Sequence, residues 1–157
     1  KAWNGQRLTP VPAQETEVRA LEHTQSLVNL RRILVAEDNP TNQMVICSML
    51  KKYQIQPIVA TDGMEAFNYN TQQQEVFDVV FMDCEMPILD GLEATRKIRE
   101  WEKTQQKPVL PIIALTAHVL PEYKDRCLAA GMNDYLSKPL LLEQLMNKLL
   151  NIQKSSS

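Results

Sequence analysis

A doubly wound α/β fold, with five parallel strands in one sheet and five helices, is what this sequence predicts from three observations. Five short apolar runs of strand length recur along the chain. Each is followed by a segment of helical length that is amphipathic or nearly so. The runs are apolar at successive positions instead of alternating, the pattern of strands covered by helices on both faces. Right-handed crossovers through those helices make neighbouring strands parallel.

In order, Ile33–Ala36 is the first strand, and a helix at about Thr41–Lys52 follows it. Pro57–Ala60 leads to a helix at Gly63–Gln72, and Phe77–Met82 to one at Gly91–Trp101. Before the latter, Asp90 reads as an N-cap and Gly91 as the residue that permits the turn. Pro111–Leu115 is followed by Pro121–Ala130, and Asp134–Leu136 by Leu141–Asn151.

At 157 residues the chain has room for one such domain and a flanking segment. Residues 1–29 contain Pro10, Pro12 and many Gln, Glu and Thr residues with few apolar ones, a tether composition, so the domain is expected over 30–153. Residues 154–157 read as a disordered tail. The start at Lys1 suggests a piece of a longer protein. A net charge of −2 gives no electrostatic reason to expect nucleic acid, and no apolar run approaches the ~20 residues that cross a bilayer. Cys47, Cys84 and Cys127 are far apart in sequence and lack CxxC spacing, so neither a disulfide framework nor a zinc site is expected. Cys84 reads as a small buried filler.

In open parallel sheets, ligands bind beyond the carboxyl ends of the strands. The residues there are Glu37 and Asp38 after the first run, Asp83 after the third, Thr116 after the fourth and Lys138 after the fifth. A single Asp in such a place is commonly only a helix cap. Three acids converging with a hydroxyl and a lysine ask for more, because caps need no cation at the same rim. Three carboxylates repel, and a hard divalent cation with oxygen ligands relieves them. Mg²⁺ is the expected cofactor, since it keeps open coordination for a phosphoryl oxygen. No Gly-rich loop follows the first strand, which argues against a nucleotide site.

The stretches Val35-Ala36-Glu37-Asp38-Asn39, Met82-Asp83-Cys84-Glu85-Met86-Pro87-Ile88-Leu89-Asp90-Gly91, Ala114-Leu115-Thr116-Ala117 and Lys138-Pro139 resemble those of response-regulator receiver domains. The similarity runs from about Ile33 to Ile152. It implies a flavodoxin-like, receiver-type fold in two-component signalling, with Asp83 as the phosphoacceptor. By the same resemblance Asp38 ligates Mg²⁺ directly, Glu37 acts through water, and Asp83 and the backbone carbonyl of Glu85 are further ligands. Lys138 supplies the ammonium that faces the phosphoryl group, from a cis Lys138-Pro139 bond. Thr116 resembles the switch hydroxyl and Tyr135 the aromatic that follows it inward, a fixed half-buried core ring being the alternative for Tyr135. Glu85 and His118, two residues beyond Asp83 and Thr116, are expected to tune the lifetime of the phosphoryl group.

Leu92-Glu93-Ala94-Thr95-Arg96 and Met132-Asn133-Asp134-Tyr135-Leu136 are similar to receivers at the carboxyl end of hybrid sensor histidine kinases. That resemblance implies two partners, a kinase phosphohistidine domain as donor and a histidine phosphotransfer domain as acceptor. It also implies a parent with kinase activity, a cytoplasmic location for this domain, and a parent for which an inner-membrane anchor stays open. Two other readings remain at this point. One is a free-standing or output-linked receiver that acts by phosphorylation-dependent dimerisation or partner binding. The other is an independent Mg²⁺-dependent phosphohydrolase, for which Glu85 has the spacing from Asp83 of a second acid. Against the hydrolase, Asp83 lies on the third strand, and the length leaves no room for a cap domain.

Overall fold

The computed structural model describes residues 32–72, 77–117 and 120–156, with side chains described as far as Ile152. The proposed tether, 1–29, and His118 lie outside these residues. The elements alternate as β1 (Ile33–Ala36), α1 (Pro40–Lys51), β2 (Ile58–Ala60), α2 (Gly63–Gln72), β3 (Val79–Asp83), α3 (Gly91–Gln105), β4 (Ile112–Thr116), α4 (Pro121–Ala130), β5 (Asp134–Ser137) and α5 (Leu142–Ser156). All strand pairs are parallel, in the order β2-β1-β3-β4-β5.

Successive strand residues point to opposite faces, so the apolar runs supply two cores at once. Leu34, Ala36, Val80, Met82, Ile112 and Ala114 pack with Ala66 of α2, Leu92 and Ile98 of α3, and Cys127 and Ala130 of α4. Ile33, Val35, Val79, Phe81, Ile113 and Leu115 pack on the other side with Ile46 and Leu50 of α1 and Leu145 and Leu149 of α5. Burial of each such Ile or Leu contributes roughly 1.5–3 kcal/mol, which docks helices whose own propensity would not hold them.

Three elements depart from the sequence expectation by two residues or more at one end. β3 runs to Asp83 itself and starts at Val79, since Asp78 is taken up at the strand entrance, where its carboxylate accepts from the Arg32 N–H at 3.0 Å. α3 continues past Trp101 to Gln105 because Glu102 is a buried anchor, and it stops where Gln106 turns left-handed (φ 54°). α5 continues to Ser156, through most of the segment expected as a disordered tail.

The chain leaves β1 toward β2 on one side and returns to β3 on the other. The carboxyl ends of β1 and β3 therefore flank a topological switch point, where the connections diverge and leave a crevice.

Candidate functional site

Asn39 and Pro40 start α1 immediately after β1. The Asn39 side chain caps the helix by accepting from the N–H groups of Thr41 and Asn42, at 2.8 and 3.2 Å. This tight turn leaves Glu37 buried and Asp38 exposed at the rim. The Glu37 backbone is tied to β2 through its N–H on the Ala60 carbonyl at 2.9 Å. At the end of β3, Asp83 is buried, and its Oδ1 accepts from the Glu85 N–H at 3.2 Å.

The loop beyond Asp83 is closed by Gly91, whose N–H donates to the Cys84 carbonyl at 3.1 Å. Asp90 caps α3 as expected, accepting from the Glu93 N–H at 2.8 Å. Gly91 has another reason to be glycine than the turn expected of it: a Cβ there would lie 2.1 Å from the Asp83 carbonyl oxygen. The loop's left-handed residue is Ile88, with φ 69°.

β4 brings Thr116, buried, to the same rim, and the Lys138 N–H donates to the Thr116 carbonyl at 2.8 Å. The Lys138-Pro139 peptide is cis. Lys138 Nζ lies 2.9 Å from Glu37 Oε1 and 3.3 Å from Asp83 Oδ1. Glu37, Asp38, Asp83, Glu85, Thr116 and Lys138 thus line one cleft of about 180 Å³. Carboxylate oxygens of Glu37, Asp38 and Asp83 lie within 4.8 Å of one another, a donor set of hard oxygens that suits Mg²⁺.

The electrostatics separate the two buried acids. Burial pushes the Glu37 carboxyl up, but hydrogen bonds from Lys138 and Asp83 and the Asn39 N–H outweigh it and hold the group below the usual carboxylate range. Asp83 is pushed up to about 7, first by burial and then by the neighbouring Glu37 carboxylate, which Lys138 offsets only in part. Burial acts against the Lys138 ammonium, yet the two carboxylates raise its pKa. Without a cation, Asp83 therefore takes up a proton far more readily than an ordinary carboxylate.

Tyr135 is the predicted residue that stands apart from the cleft. It is half-buried on β5, with Lys124 Nζ 4.8 Å and Lys148 Nζ 5.8 Å from its ring centre. Sequence reasoning missed three residues. Asn39 and Asn42 also line the cleft, and the Asn39 N–H donates to Glu37 Oε2 at 3.1 Å. An Asn directly before a Pro at a helix start was the available signal. The third is Cys127, whose sulfur lies 3.6 Å from that of Cys84. No spacing signal exists for a contact between a loop and a helix residue 43 positions apart in the chain.

Comparison with known proteins gives the family. Residues 33–150 match the model of the response regulator receiver domain, so the chain belongs to that family. The sensor protein GacS of Pseudomonas syringae is 40% identical over 119 residues, covering 76% of this chain and 13% of GacS. This chain thus spans only a small part of the sensor kinases it matches. The receiver domain of the sensor histidine kinase PA1611 of Pseudomonas aeruginosa, with a magnesium ion coordinated in its active site cleft, is 41% identical. It superimposes with a TM-score of 0.70 over 79% of this chain and 98% of that one. The Saccharomyces cerevisiae Ssk1 receiver, in complex with the histidine phosphotransfer protein Ypd1, is 33% identical, with a TM-score of 0.75 over 80% of this chain and 90% of that one.

Proposed function

We propose that this receiver domain accepts a phosphoryl group on Asp83 from a phosphohistidine, in a Mg²⁺-dependent step, and passes it to a histidine of a phosphotransfer domain. The observation that carries the reading is the convergence of Glu37, Asp38, Asp83 and Lys138 on one cleft at the switch point.

Asp38, Asp83 and the Glu85 carbonyl would hold the cation, with Glu37 acting through water. When bound, Mg²⁺ supplies positive charge that offsets the phosphoryl oxygens. The other parts fall to the chain itself. A carboxylate oxygen of Asp83 bonds to phosphorus as the phosphorus–nitrogen bond to the donor imidazole breaks. The Lys138 ammonium lies against Asp83 and offers fixed charge to the oxygens of the transferring group. Thr116, at the same rim, offers a hydroxyl to a phosphoryl oxygen once the group is in place. Glu85, exposed beside the acceptor, is placed to influence the attack of water and so the lifetime of the phosphoryl group.

For the partner, the supporting observations are the Ypd1 complex of a similar receiver and the exposed Met44 and Val45 on α1, the helix that starts at the cleft. An acyl phosphate on Asp83 is energetic enough to return to imidazole through the same in-line geometry. By family resemblance the parent is a hybrid sensor kinase with this domain on its cytoplasmic side. Among the described residues no helix is long and apolar enough to cross a membrane.

The test is intact-mass analysis after incubation with Mg²⁺ and a small acyl phosphate, followed by mixing with histidine phosphotransfer proteins. One phosphoryl group should be added, and it should be lost with EDTA and in Asp83→Asn. A label that survives Asp83→Asn on the same peptide rejects the acceptor. Transfer to no phosphotransfer protein, combined with phosphorylation-dependent dimerisation, rejects the relay and favours an output switch.

A further inference from the structure

Two thiols meet between the loop that follows Asp83 and α4. Cys84 follows Asp83 directly and Cys127 lies in α4; both are unpaired and buried, at 2% and 1% exposure, with their sulfurs 3.6 Å apart. A disulfide needs about 2.05 Å, so the sulfurs must close by roughly 1.5 Å. One side of that gap is fixed and the other is not. The Cys84 backbone is held on both sides, its N–H on the Leu115 carbonyl and its carbonyl under the Gly91 N–H, each at 3.1 Å. α4, by contrast, buries only Cys127 and Ala130 of its ten residues, and its N-cap, Leu120, makes no side-chain capping bond. A helix anchored by so few side chains shifts and lifts at low cost. Tyr123, one turn before Cys127 on the same helix, hydrogen-bonds Cys84 and packs half-buried against the same core.

We propose that Cys84 and Cys127 form a redox-active dithiol whose intramolecular disulfide pins α4 to the loop of Asp83. The oxidant is a peroxide. Cys127, uncovered as α4 lifts, attacks the O–O bond, takes one oxygen as a sulfenic acid and releases one water. The Cys84 sulfur then displaces the hydroxyl from Cys127, and a second water leaves. Two thiols lose two electrons and two protons, and one peroxide becomes two waters. Packing keeps the pair slow to react in the closed domain, so the rate of oxidation reports the opening of α4. Cys47, half-buried on α1, on the opposite face of the sheet, has no part in it. The consequence is local: oxidation ties the helix that follows Thr116 to the residue beside the acceptor.

The test treats the 157-residue chain with hydrogen peroxide and alkylates remaining thiols after unfolding, with Cys47→Ser in parallel. Before alkylation both chains should be lighter by two hydrogen atoms; afterwards the wild type should carry one alkyl group, on Cys47, and Cys47→Ser none, and both should give one cross-linked peptide containing Cys84 and Cys127, reversed by dithiothreitol. Amide exchange across α4 should slow in the oxidised form and recover on reduction. Recovery of Cys84 and Cys127 as alkylated thiols, or as separate sulfinic acids without a cross-link, overturns the proposal. A cross-link in Cys47→Ser with unchanged exchange in α4 overturns the pinning. None of these readouts requires phosphorylation of Asp83, so they stand or fall apart from the relay.

Discussion

At the scale of single residues, Asp83 is placed against its own stability. A carboxyl near 3.8 in an unfolded chain is raised to about 7 in the fold, so the native state binds the proton more tightly. The stabilisation this gives is full below the unfolded value and is lost as pH rises from about 4 through about 7. Asp83→Asn removes the ionisation that Glu37 and burial oppose. It should therefore make the cation-free domain more stable at pH 8, by roughly 1–3 kcal/mol, and change little at pH 4. Denaturant midpoints at the two pH values measure it, and equal shifts at both would contradict the assigned cause. Ile88 offers a second case. It is 80% exposed, so its side chain adds little packing, while its φ of 69° is costly for a β-branched residue. Ile88→Asn should stabilise by about 1 kcal/mol, read from the same midpoints.

At the scale of elements, the end of the sheet opposite the cleft is held by one arginine. Arg99 of α3 donates to Glu102 Oε1 and Oε2 at 2.9 and 3.1 Å, to the Gly131 carbonyl at 2.8 Å and to Asn133 Oδ1 at 2.8 Å. Glu102 also accepts from the Leu110 N–H at 2.9 Å, and Asn133 from the Ile112 N–H at 2.8 Å. Arg99 thus joins α3, the entrance to β4 and the turn from α4 to β5. Arg99→Met leaves Glu102 buried with fewer donors and should cost about 2–3 kcal/mol, with phosphorylation of Asp83 retained. The switch proposed for Thr116 and Tyr135 belongs to this scale too. Tyr135 sits between Lys124 of α4 and Lys148 of α5, and Lys148 also pairs with Asp134 at 2.8 Å. Thr116→Ala should allow phosphorylation but blunt the phosphorylation-dependent change in amide exchange around α4 and β5. An identical response in wild type and variant would remove Thr116 from the coupling.

At the scale of the whole domain, cation binding, protonation and folding are one linked equilibrium. With Asp83 in the proposed ligand set, Mg²⁺ would compete with the proton there, so its apparent affinity should fall below about pH 7 by up to about tenfold per pH unit. A cation that binds only the folded domain stabilises it, by about 1.4 kcal/mol at ten times its dissociation constant. Thermal unfolding with and without Mg²⁺ at pH 6 and pH 8 should show a larger shift at pH 8. EDTA should abolish that shift at both. A shift independent of pH would mean that the cation binds without Asp83.

The sequence by itself determined the strand and helix order, the parallel sheet and the rim on which Glu37, Asp38, Asp83, Thr116 and Lys138 meet. Unbroken apolar runs and 3.6-residue periodicity are local signals, and a doubly wound sheet converts position after a strand into position at one edge. Helix ends were less legible. The length of α3 depends on Glu102 turning inward, where it meets Arg99 three residues before it and accepts from the Leu110 N–H beyond the helix end, and apolar periodicity carries no signal for a buried carboxylate. Only the tertiary structure decided which acid is buried and which exposed, that Lys138 lies nearer Glu37 than Asp83, that Gly91 makes room for the Asp83 carbonyl, and that Cys84 meets Cys127. Each of these is a distance between segments remote along the chain, and such distances are set by how helices pack on the sheet, which residue spacing does not encode.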